Sequence, residues 1–268
     1  MNTTTPNIAV FCDYENLAIG AKEAKFDKFD LSIALERILD KGKIVFKKAY
    51  SDWSRYKDDR RQLHEHAFEL VEIPHVSYSG KNSADIRLVV DALDLCYTKP
   101  HVSTFAILSG DSDFSPLVSK LRENNKEVIG LGIRHSSSNL LIENCDEFIF
   151  YDDLFKKRKT KARKPSSSKK TEGKQSIGKE LNKPQEEALE LVIKTTDVMI
   201  EQREGLLWGP TIRQAIKRKR PSFSESDYGF VNFNGILEEA QKQGLLTLRK
   251  DNETGHYAVL SLTSAEKE

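Results

Sequence analysis

Residues 104–117 read TFAILSGDSDFSPL. An apolar run ends at Leu108 and is followed by two aspartates, Asp111 and Asp113. Two like charges at the end of a buried strand repel each other and lose hydration, so they need a partner. Either they cap the helix that is expected near Pro116, or they bind a cation.

The same arrangement of short apolar strands and amphipathic segments repeats along the first half of the chain. Strands are predicted at residues 8–12, 43–50, 71–76, 104–109, 126–133 and 147–151, and helices at 31–42, 54–71, 83–98, 115–124 and 137–144. Such alternation, with nearly continuous apolar strands, is typical of a parallel sheet covered by helices on both faces. We therefore expect an α/β fold in residues 1–155, arranged as a Rossmann-like three-layer α/β/α sandwich.

The net charge of +1 is distributed unevenly. Residues 1–155 hold 19 Lys and Arg against 25 Asp and Glu (−6), residues 156–183 hold 12 against 2 (+10), and residues 184–268 hold 11 against 14 (−3). The middle block has too few apolar residues to fold alone, so it is predicted to be a basic flexible linker. Its charge is also typical of a segment that contacts nucleic acid.

Helical periodicity resumes after the basic block. Helices are predicted at 184–202, 209–221 and 228–244, followed by a hairpin of residues 245–250 and 256–262. Three helices and a hairpin predict a small winged-helix-type α+β domain over residues 184–262. Residues 263–268 are predicted to be a tail.

Three general features limit the class of protein. No apolar run is long enough to span a bilayer, and the first residues lack the pattern of a secretory signal. The three cysteines are far apart and predict reduced thiols, and the lack of a C-x-x-C pair argues against a structural zinc site. We expect a cytoplasmic protein with no membrane partner, and the sequence leaves a homo-oligomer open.

Carboxylates reach one edge of the predicted sheet from three segments. Asp13 follows the first strand as Asp111 and Asp113 follow the fourth, and parallel sheets bind ligands at these carboxyl ends. On a predicted helix, Asp85 begins the apolar stripe that should face the sheet. Each has an ordinary explanation alone: a helix start for Asp85, a turn with Asn16 for Asp13, and, after the fourth strand, a helix cap provided by Asp113 or Ser115. Together they would repel one another, and a hard divalent cation, Mg²⁺ or Mn²⁺, relieves that repulsion.

Other groups near this edge suit a phosphodiester. One or two ions can hold the phosphate oxygens of such a substrate and lower the pKa of water. Lys81, Arg134 and His135 are predicted to lie at the mouth of the site, where they could contact phosphates. For Lys81 a solvated loop position is the alternative, and residues 136–138 are serines that could simply cap the next helix.

These residues resemble a NYN domain, a branch of the PIN-like nucleases. Four stretches carry the match: FCDYENLAIG (11–20), GKNSADIRLVVDAL (80–93), LSGDSDFSPL (108–117) and GIRHSSSNLLIENCDEFIFYDDL (132–154). Within that branch the chain is most similar to the LabA-like proteins of bacteria. The resemblance implies a PIN-like fold and metal-dependent ribonuclease chemistry. It gives metal-ligand roles to Asp13, Asp85, Asp111 and Asp113, and supporting roles at the catalytic and substrate site to Asn16 and Ser109.

The second domain resembles an OST-HTH, or LOTUS, domain over residues 208–259, most clearly in YGFVNFNGIL (228–237). That family is a small winged helix associated with RNA and often joined to NYN domains. The basic end of its predicted second helix suits phosphates, although a solvated helix face explains each basic residue about as well. The predicted RNA-contacting residues are Arg213, Lys217, Arg218 and Arg220.

The leading prediction is therefore a cytoplasmic Mg²⁺- or Mn²⁺-dependent ribonuclease that cleaves single-stranded or structured RNA. The rival hypothesis is an RNA-binding regulator that uses the PIN-like domain as a scaffold and does not turn over its RNA. A third hypothesis is a phosphatase or nucleotide hydrolase that uses the same acidic edge. Undegraded RNA recovered with Mn²⁺ present would favour the second, and phosphate released from mononucleotides would favour the third.

Overall fold

The computed structural model describes residues 5–26, 28–73, 83–162, 182–202, 206–251 and 254–263. The chain divides into two compact units, the N-terminal unit Met1–Lys164 and the C-terminal unit Pro165–Glu268. The last helix of the N-terminal unit ends at Ala162, inside the block of residues 156–183 that was predicted to be a linker. The finer domain boundaries at residues 155, 183 and 262 stay predictions.

A six-stranded parallel sheet forms the centre of the N-terminal unit. Its strands are β1 (Asn7–Asp13), β2 (Lys43–Ser51), β3 (Glu69–Glu72), β4 (Thr104–Leu108), β5 (Glu127–Gly132) and β6 (Glu147–Phe150). The strands are ordered β3-β2-β1-β4-β5-β6, and every neighbouring pair is parallel. The parallel α/β sheet predicted from the apolar strands is therefore confirmed.

Helices cover both faces of this sheet. They are α1 (Tyr14–Glu23), α2 (Leu31–Leu39), α3 (Arg60–Glu65), α4 (Ser83–Thr98), α5 (Ser115–Glu123), α6 (Asn139–Asn144) and α7 (Tyr151–Ala162). Ile8, Val10 and Cys12 of β1 face a core built with α1, α2, α3 and α7. Ala9 and Phe11 face a second core built with α4, α5 and α6. This alternation along one strand produces the three-layer sandwich.

The order of the strands reverses in the middle of the sheet. Chain order runs outward from β1 through β2 to β3 on one side, and from β4 to β6 on the other. Open parallel sheets bind ligands at such a switch point, beyond the carboxyl ends of the strands. Because Cys12 pairs with Leu108 in the register, the residues that follow them, Asp13 and Ser109, come out side by side at the switch point.

The secondary structure of this unit differs from the prediction at three places. The long helix expected at 54–71 is a short 3₁₀ turn, then α3, and then β3, which pairs with β2. Helix α1 was not predicted at all, although it begins directly after Asp13. The third strand was predicted at 71–76, whereas β3 begins two residues earlier and ends at Glu72; residues 74–76 of the prediction lie outside the described residues.

The C-terminal unit is a small α+β domain, as predicted. Its elements are α8 (Lys183–Gln202), β7 (Leu207–Trp208), α9 (Gly209–Lys219), α10 (Phe233–Lys242), β8 (Leu246–Lys250) and β9 (Tyr257–Leu262). The strands form an antiparallel sheet ordered β7-β9-β8, in which β8 and β9 are the predicted hairpin. Helix α10 starts later than predicted, because Asn232 caps it by accepting from the Gly235 N–H. In the part of the chain that is described, no helix is both long and apolar enough to cross a membrane.

Candidate metal centre

The loops after β1 and β4 are joined by hydrogen bonds at the switch point. The buried Ser109 Oγ donates to Asp13 Oδ2 at 3.0 Å and accepts from the Asp111 N–H at 3.2 Å. The Gly110 N–H donates to Asn16 Oδ1 at 2.9 Å. Two of the four stretches that carry the NYN resemblance, residues 11–20 and 108–117, therefore hold each other in place, and Asn16 and Ser109 are the residues that join them.

Asp13 also begins α1. Its Oδ1 accepts from the Asn16 N–H at 3.3 Å, which makes Asp13 the N-cap of that helix. The turn with Asn16 and the position at the acidic edge were offered as alternatives, and the structure combines them. One oxygen of the carboxylate holds the helix, and the other is held by Ser109.

Asp111, and not Asp113 or Ser115, is the capping residue after β4. Asp111 Oδ1 accepts from the Asp113 N–H at 3.0 Å and starts a 3₁₀ helix, Ser112–Phe114, that leads into α5. Helix α5 itself has no side-chain cap, and Ser115 Oγ is buried without a hydrogen-bond partner. The expected cap at Asp113 or Ser115 is therefore wrong, which leaves the carboxylate of Asp113 exposed at the site.

Three of the four predicted aspartates form a compact cluster. Carboxylate oxygens of Asp85, Asp111 and Asp113 all lie within 4.8 Å of one another. Asp85 comes from the first turn of α4, and Leu88, Ala92, Leu95 and Cys96 of that helix are buried against the sheet, as the apolar stripe predicted. Asp13 is not one of the three, and it is buried at the end of β1.

Electrostatic coupling shows how close Asp13 is to this cluster. Burial raises the pKa of Asp13 to about 7, and the charges of Asp85 and Asp111 add to that rise, while hydrogen bonds from Asn16 and Ser109 oppose it. Burial also raises the pKa of Asp85 to about 6, with further contributions from Asp111, Asp113 and Glu15. The charges of Asp85 and Asp111 thus act on Asp13, and each negative charge makes the next more costly.

Glu15 is an acidic residue at this site that the sequence analysis missed. It lies in the first turn of α1 and forms an ion pair with Arg55, with Arg55 Nη1 2.5 Å from Glu15 Oε1. Glu15 was missed because helix α1 was not predicted: a helix capped by Asp13 places Glu15, in its first turn, at the same edge of the sheet. Arg55 is half exposed and partly offsets this extra charge.

The donor set fits a divalent cation. All of the clustered ligand atoms are carboxylate oxygens, which Mg²⁺ and Mn²⁺ prefer over nitrogen or sulfur. The raised pKa values of Asp13 and Asp85 arise from burial and from neighbouring negative charge, and the positive charge of a bound cation would lower both pKa values. Asp85, Asp111 and Asp113 are the residues placed to hold an ion, with Asp13 next to them.

Glycines let the surrounding loops approach this edge closely. A side chain at Gly110 would place its Cβ 2.5 Å from the Ser136 carbonyl oxygen, and one at Gly20 would meet Ser136 Oγ at the same distance. The loop after β5 therefore packs directly on residues 110–113, which follow β4, and the Ser138 N–H donates to the Gly110 carbonyl at 2.8 Å. Ser138 also caps α6 by accepting from the Leu140 N–H, which confirms the capping role expected of these serines.

The predicted phosphate-contacting residues of this unit have protein partners or lie outside the described residues. Arg134 Nη2 lies 2.9 Å from Asp153 Oδ2, and its guanidinium stacks on Phe150. His135 Nε2 lies 3.1 Å from Glu23 Oε2. Lys81 falls outside the described residues. Substrate contact by any of the three stays a prediction.

In the C-terminal unit, the predicted RNA-contacting residues Arg213 and Arg220 form ion pairs. Arg213 binds the buried Glu225 with two nitrogens, at 2.5 and 3.3 Å. Arg220 Nη1 lies 3.1 Å from Glu187 Oε1. Lys217 and Arg218 lie with Lys219 in the last turn of α9, the basic helix end expected from the sequence. Contact with RNA by any of the four stays a prediction.

Comparison with known proteins places the N-terminal unit in a family. The NYN domain family model matches residues 7–152. An uncharacterized protein of Methanocaldococcus jannaschii is 28% identical over 144 residues, which make up 52% of this chain and 55% of that protein. The chain thus spans about half the length of this curated relative.

A solved structure is similar to the N-terminal unit in fold. The crystal structure of a protein of unknown function from Vibrio parahaemolyticus matches with a TM-score of 0.51 and 27% identity, over 57% of this chain and 98% of that one. The match to the family model covers more than half of the chain and includes all four aspartates. The chain therefore belongs to the NYN domain family, within the PIN-like nuclease superfamily.

Proposed function

We propose that this protein is a metal-dependent ribonuclease that hydrolyses RNA phosphodiester bonds at the acidic edge of its NYN domain. The observation that carries this proposal is the cluster of Asp85, Asp111 and Asp113 within 4.8 Å at the switch point of the sheet. Carboxylates that only stabilised a fold would be expected beside cations, as Asp91 is beside Lys48. A cluster of like charges at a ligand-binding edge instead favours a site that is completed by a metal ion.

In this proposal Asp85, Asp111 and Asp113 hold one or two Mg²⁺ or Mn²⁺ ions, and Asp13 contributes from the end of β1. A divalent ion bound there would neutralise phosphate charge and supply hydroxide at neutral pH. Asn16 and Ser109 would act as positioning residues, since their hydrogen bonds fix Asp13 relative to the loop that carries Asp111. Ser109 is fully buried, so it would act through Asp13 and Asp111.

The rest of the chain would bring RNA to this edge. We propose that the C-terminal unit is an RNA-binding winged helix of the OST-HTH or LOTUS type, in a protein similar to the LabA-like branch. The basic last turn of α9 supports this role, as does the charge of +10 over residues 156–183, from 12 basic and 2 acidic residues. Phosphate contacts from such segments would make RNA binding fall steeply with salt.

Cleavage of a mixture of single-stranded and structured RNA by the full chain tests the proposal. With Mn²⁺ present we expect cleavage by the wild type, and a rate at least about a hundredfold lower for Asp111→Asn, because a lost metal ligand costs more than a lost supporting contact. Asp40→Asn is the matched control, since Asp40 lies on the surface at the end of α2 and pairs with Arg37. It should cleave at the wild-type rate.

Three results would contradict the proposal. Equal rates for wild type and Asp111→Asn would assign the cleavage to a contaminant or to another site. Intact RNA recovered in a tight complex with Mn²⁺ would favour the non-catalytic RNA-binding regulator. Release of inorganic phosphate from mononucleotides, without RNA cleavage, would favour a phosphatase.

A further inference from the structure

Helix α4 carries an apolar stripe on its outer face. Ile86, Val90 and Tyr97 are 63%, 56% and 59% exposed, and Leu93 lies between them, partly buried. Their spacing of four, three and four residues places all of them on one side of the helix. This side is opposite the face that Leu88, Ala92 and Leu95 bury against the sheet.

Such a concentration of exposed apolar side chains is unusual within the described part of the N-terminal unit. The other large apolar residues that are exposed there occur one to an element: Ile19, Leu39, Val45 and Leu140. Single apolar residues on a surface are normal, whereas a contiguous apolar patch marks an interaction site. Helix α4 therefore needs an explanation that the acidic cluster does not provide.

The stripe is symmetric about its own midpoint. If a second copy of α4 packed against it in the antiparallel direction, Ile86 would lie opposite the partner's Tyr97, and Val90 opposite the partner's Leu93. The reversed order gives the same two pairs again, which is the requirement for a two-fold interface. The alternating spacing of four and three residues is also that of helices which pack along a shared seam.

Charges beside the stripe obey the same symmetry. Arg87 follows Ile86 and Asp94 follows Leu93, so both occupy the same flank of the stripe. In an antiparallel pair these flanks meet, and Arg87 would face the partner's Asp94 twice. Arg87 and Asp94 border one surface groove together with Ser83, Ile86, Val90 and Asp91. Opposite charges thus lie beside the apolar contacts at the places that a second copy requires.

We infer that the outer face of α4 is the interface of a homodimer, formed by antiparallel packing of α4 against α4 of a second copy. Two features favour a second copy of this chain as the occupant: the symmetric spacing of the apolar residues, and the opposite charges of Arg87 and Asp94 on one flank, where Arg87 already pairs with Asp91 of its own helix at 3.0 Å. An unrelated partner would need neither. A single helix pair buries less than the roughly 1,600 Å² of a standard stable interface, so the dimer dissociates on dilution.

Analytical ultracentrifugation of the full chain tests the interface. The wild type should convert from monomer to dimer as its concentration rises through the micromolar range. Val90→Glu should weaken the dimer by about a hundredfold or more, because two carboxylates would be placed in an apolar contact. Leu39→Glu is the matched control, because Leu39 is 57% exposed at the end of α2, away from the stripe. It should leave the dimer unchanged.

A charge exchange provides a second test that does not depend on the apolar contacts. Asp94→Arg would place an arginine opposite Arg87 at both of the expected Arg87–Asp94 contacts and should weaken the dimer. Combining it with Arg87→Asp restores opposite charges and should recover most of the lost affinity. Circular dichroism checks that each variant is folded.

The inference fails if the wild type stays monomeric up to about 100 μM, roughly a hundred times the Kd of a typical micromolar complex. It also fails if a folded Val90→Glu variant dimerises as the wild type does, since the interface would then lie elsewhere. Neither outcome depends on RNA cleavage, so the dimer and the proposed nuclease can fail separately.

Discussion

Asp85 and Asp91 lie on the same helix, less than two turns apart, and the fold treats them in opposite ways. Burial raises the pKa of both. For Asp91, hydrogen bonds from Lys48 Nζ at 3.0 Å and from Tyr50 Oη at 2.9 Å outweigh that effect and lower its pKa below the ordinary value. For Asp85 the neighbouring charges belong to Asp111, Asp113 and Glu15, and they raise its pKa further, to about 6.

This difference separates a structural carboxylate from a candidate functional one. Asp91 already has the cation and the hydroxyl that a partly buried carboxylate needs. The charges that raise the pKa of Asp85 have its own sign, and a bound cation would relieve this repulsion. Sequence position alone does not distinguish the two, because both are acidic residues within one amphipathic helix.

The largest expected consequence concerns catalysis. Asp85→Asn should lower the Mn²⁺-dependent cleavage of RNA by about a thousandfold, as removal of a group that stabilises transition-state charge does. Asp91→Asn, on the same helix, should cleave within about threefold of the wild-type rate, because Asp91 is held by Lys48 and Tyr50 and not by the acidic cluster. A threefold change is less than about 1 kcal/mol of transition-state binding. Single-turnover rates at saturating enzyme measure both. Equal losses in the two variants would mean that α4 acts only through its fold.

The pH dependence of stability without metal should be the next largest effect. The pKa of Asp13 is about 7 in the folded protein against 3.8 as its ordinary value. Between those pH values the folded state therefore holds a proton that the unfolded state has lost. Stability should then fall as pH rises from about 4 to 7, by up to about 1.4 kcal/mol per pH unit and roughly 4 kcal/mol in total. Asp85, with a pKa raised to about 6, contributes with the same sign.

Urea unfolding at several pH values, with a chelator present, measures this slope. Trp53 lies in the buried core of the N-terminal unit, and a Trp208→Phe background removes the tryptophan of the other unit. Asp13→Asn, which resembles the protonated side chain, should flatten the slope. Mn²⁺ should stabilise the wild type more at pH 7 than at pH 5, because ligands bind the ion in their deprotonated form. A slope that Asp13→Asn leaves unchanged would assign the effect to other groups.

Much of this site could be predicted because its residues follow regular elements. The apolar runs before Asp13 and Asp111 are periodic enough to identify strands, and parallel strands deliver their ends to one edge. The stripe of α4 placed Asp85 at its start by helix geometry alone. These signals are local in sequence, and the parallel pairing of the strands is enough to bring the aspartates that follow them to one edge of the sheet.

The missed elements have causes that lie in tertiary contacts. Helix α1 contains Gly20, which lowers helix propensity but is required because Ser136 packs against it. Helix α3 ends at Glu65, and Ala67, two residues later, adopts the left-handed conformation (φ 54°) that helix ends usually give to glycine or asparagine. The strand that follows gains its partner only from β2. Ion pairs such as Arg134 with Asp153 depend on the same distant packing.

The smallest expected effect is also the one that separates the two aspartates most directly, because it has opposite signs. Without metal at pH 7.5, Asp85→Asn should raise the free energy of unfolding by about 1 kcal/mol, after allowance for solvent screening, since it removes a repelled charge. Asp91→Asn should lower it by about 1–3 kcal/mol, because Lys48 and Tyr50 lose a charged acceptor. The urea assay in the Trp208→Phe background measures both variants. If both destabilised the protein equally, the cluster around Asp85 would hold its charges at no electrostatic cost, and the case for a cation there would lose its physical basis.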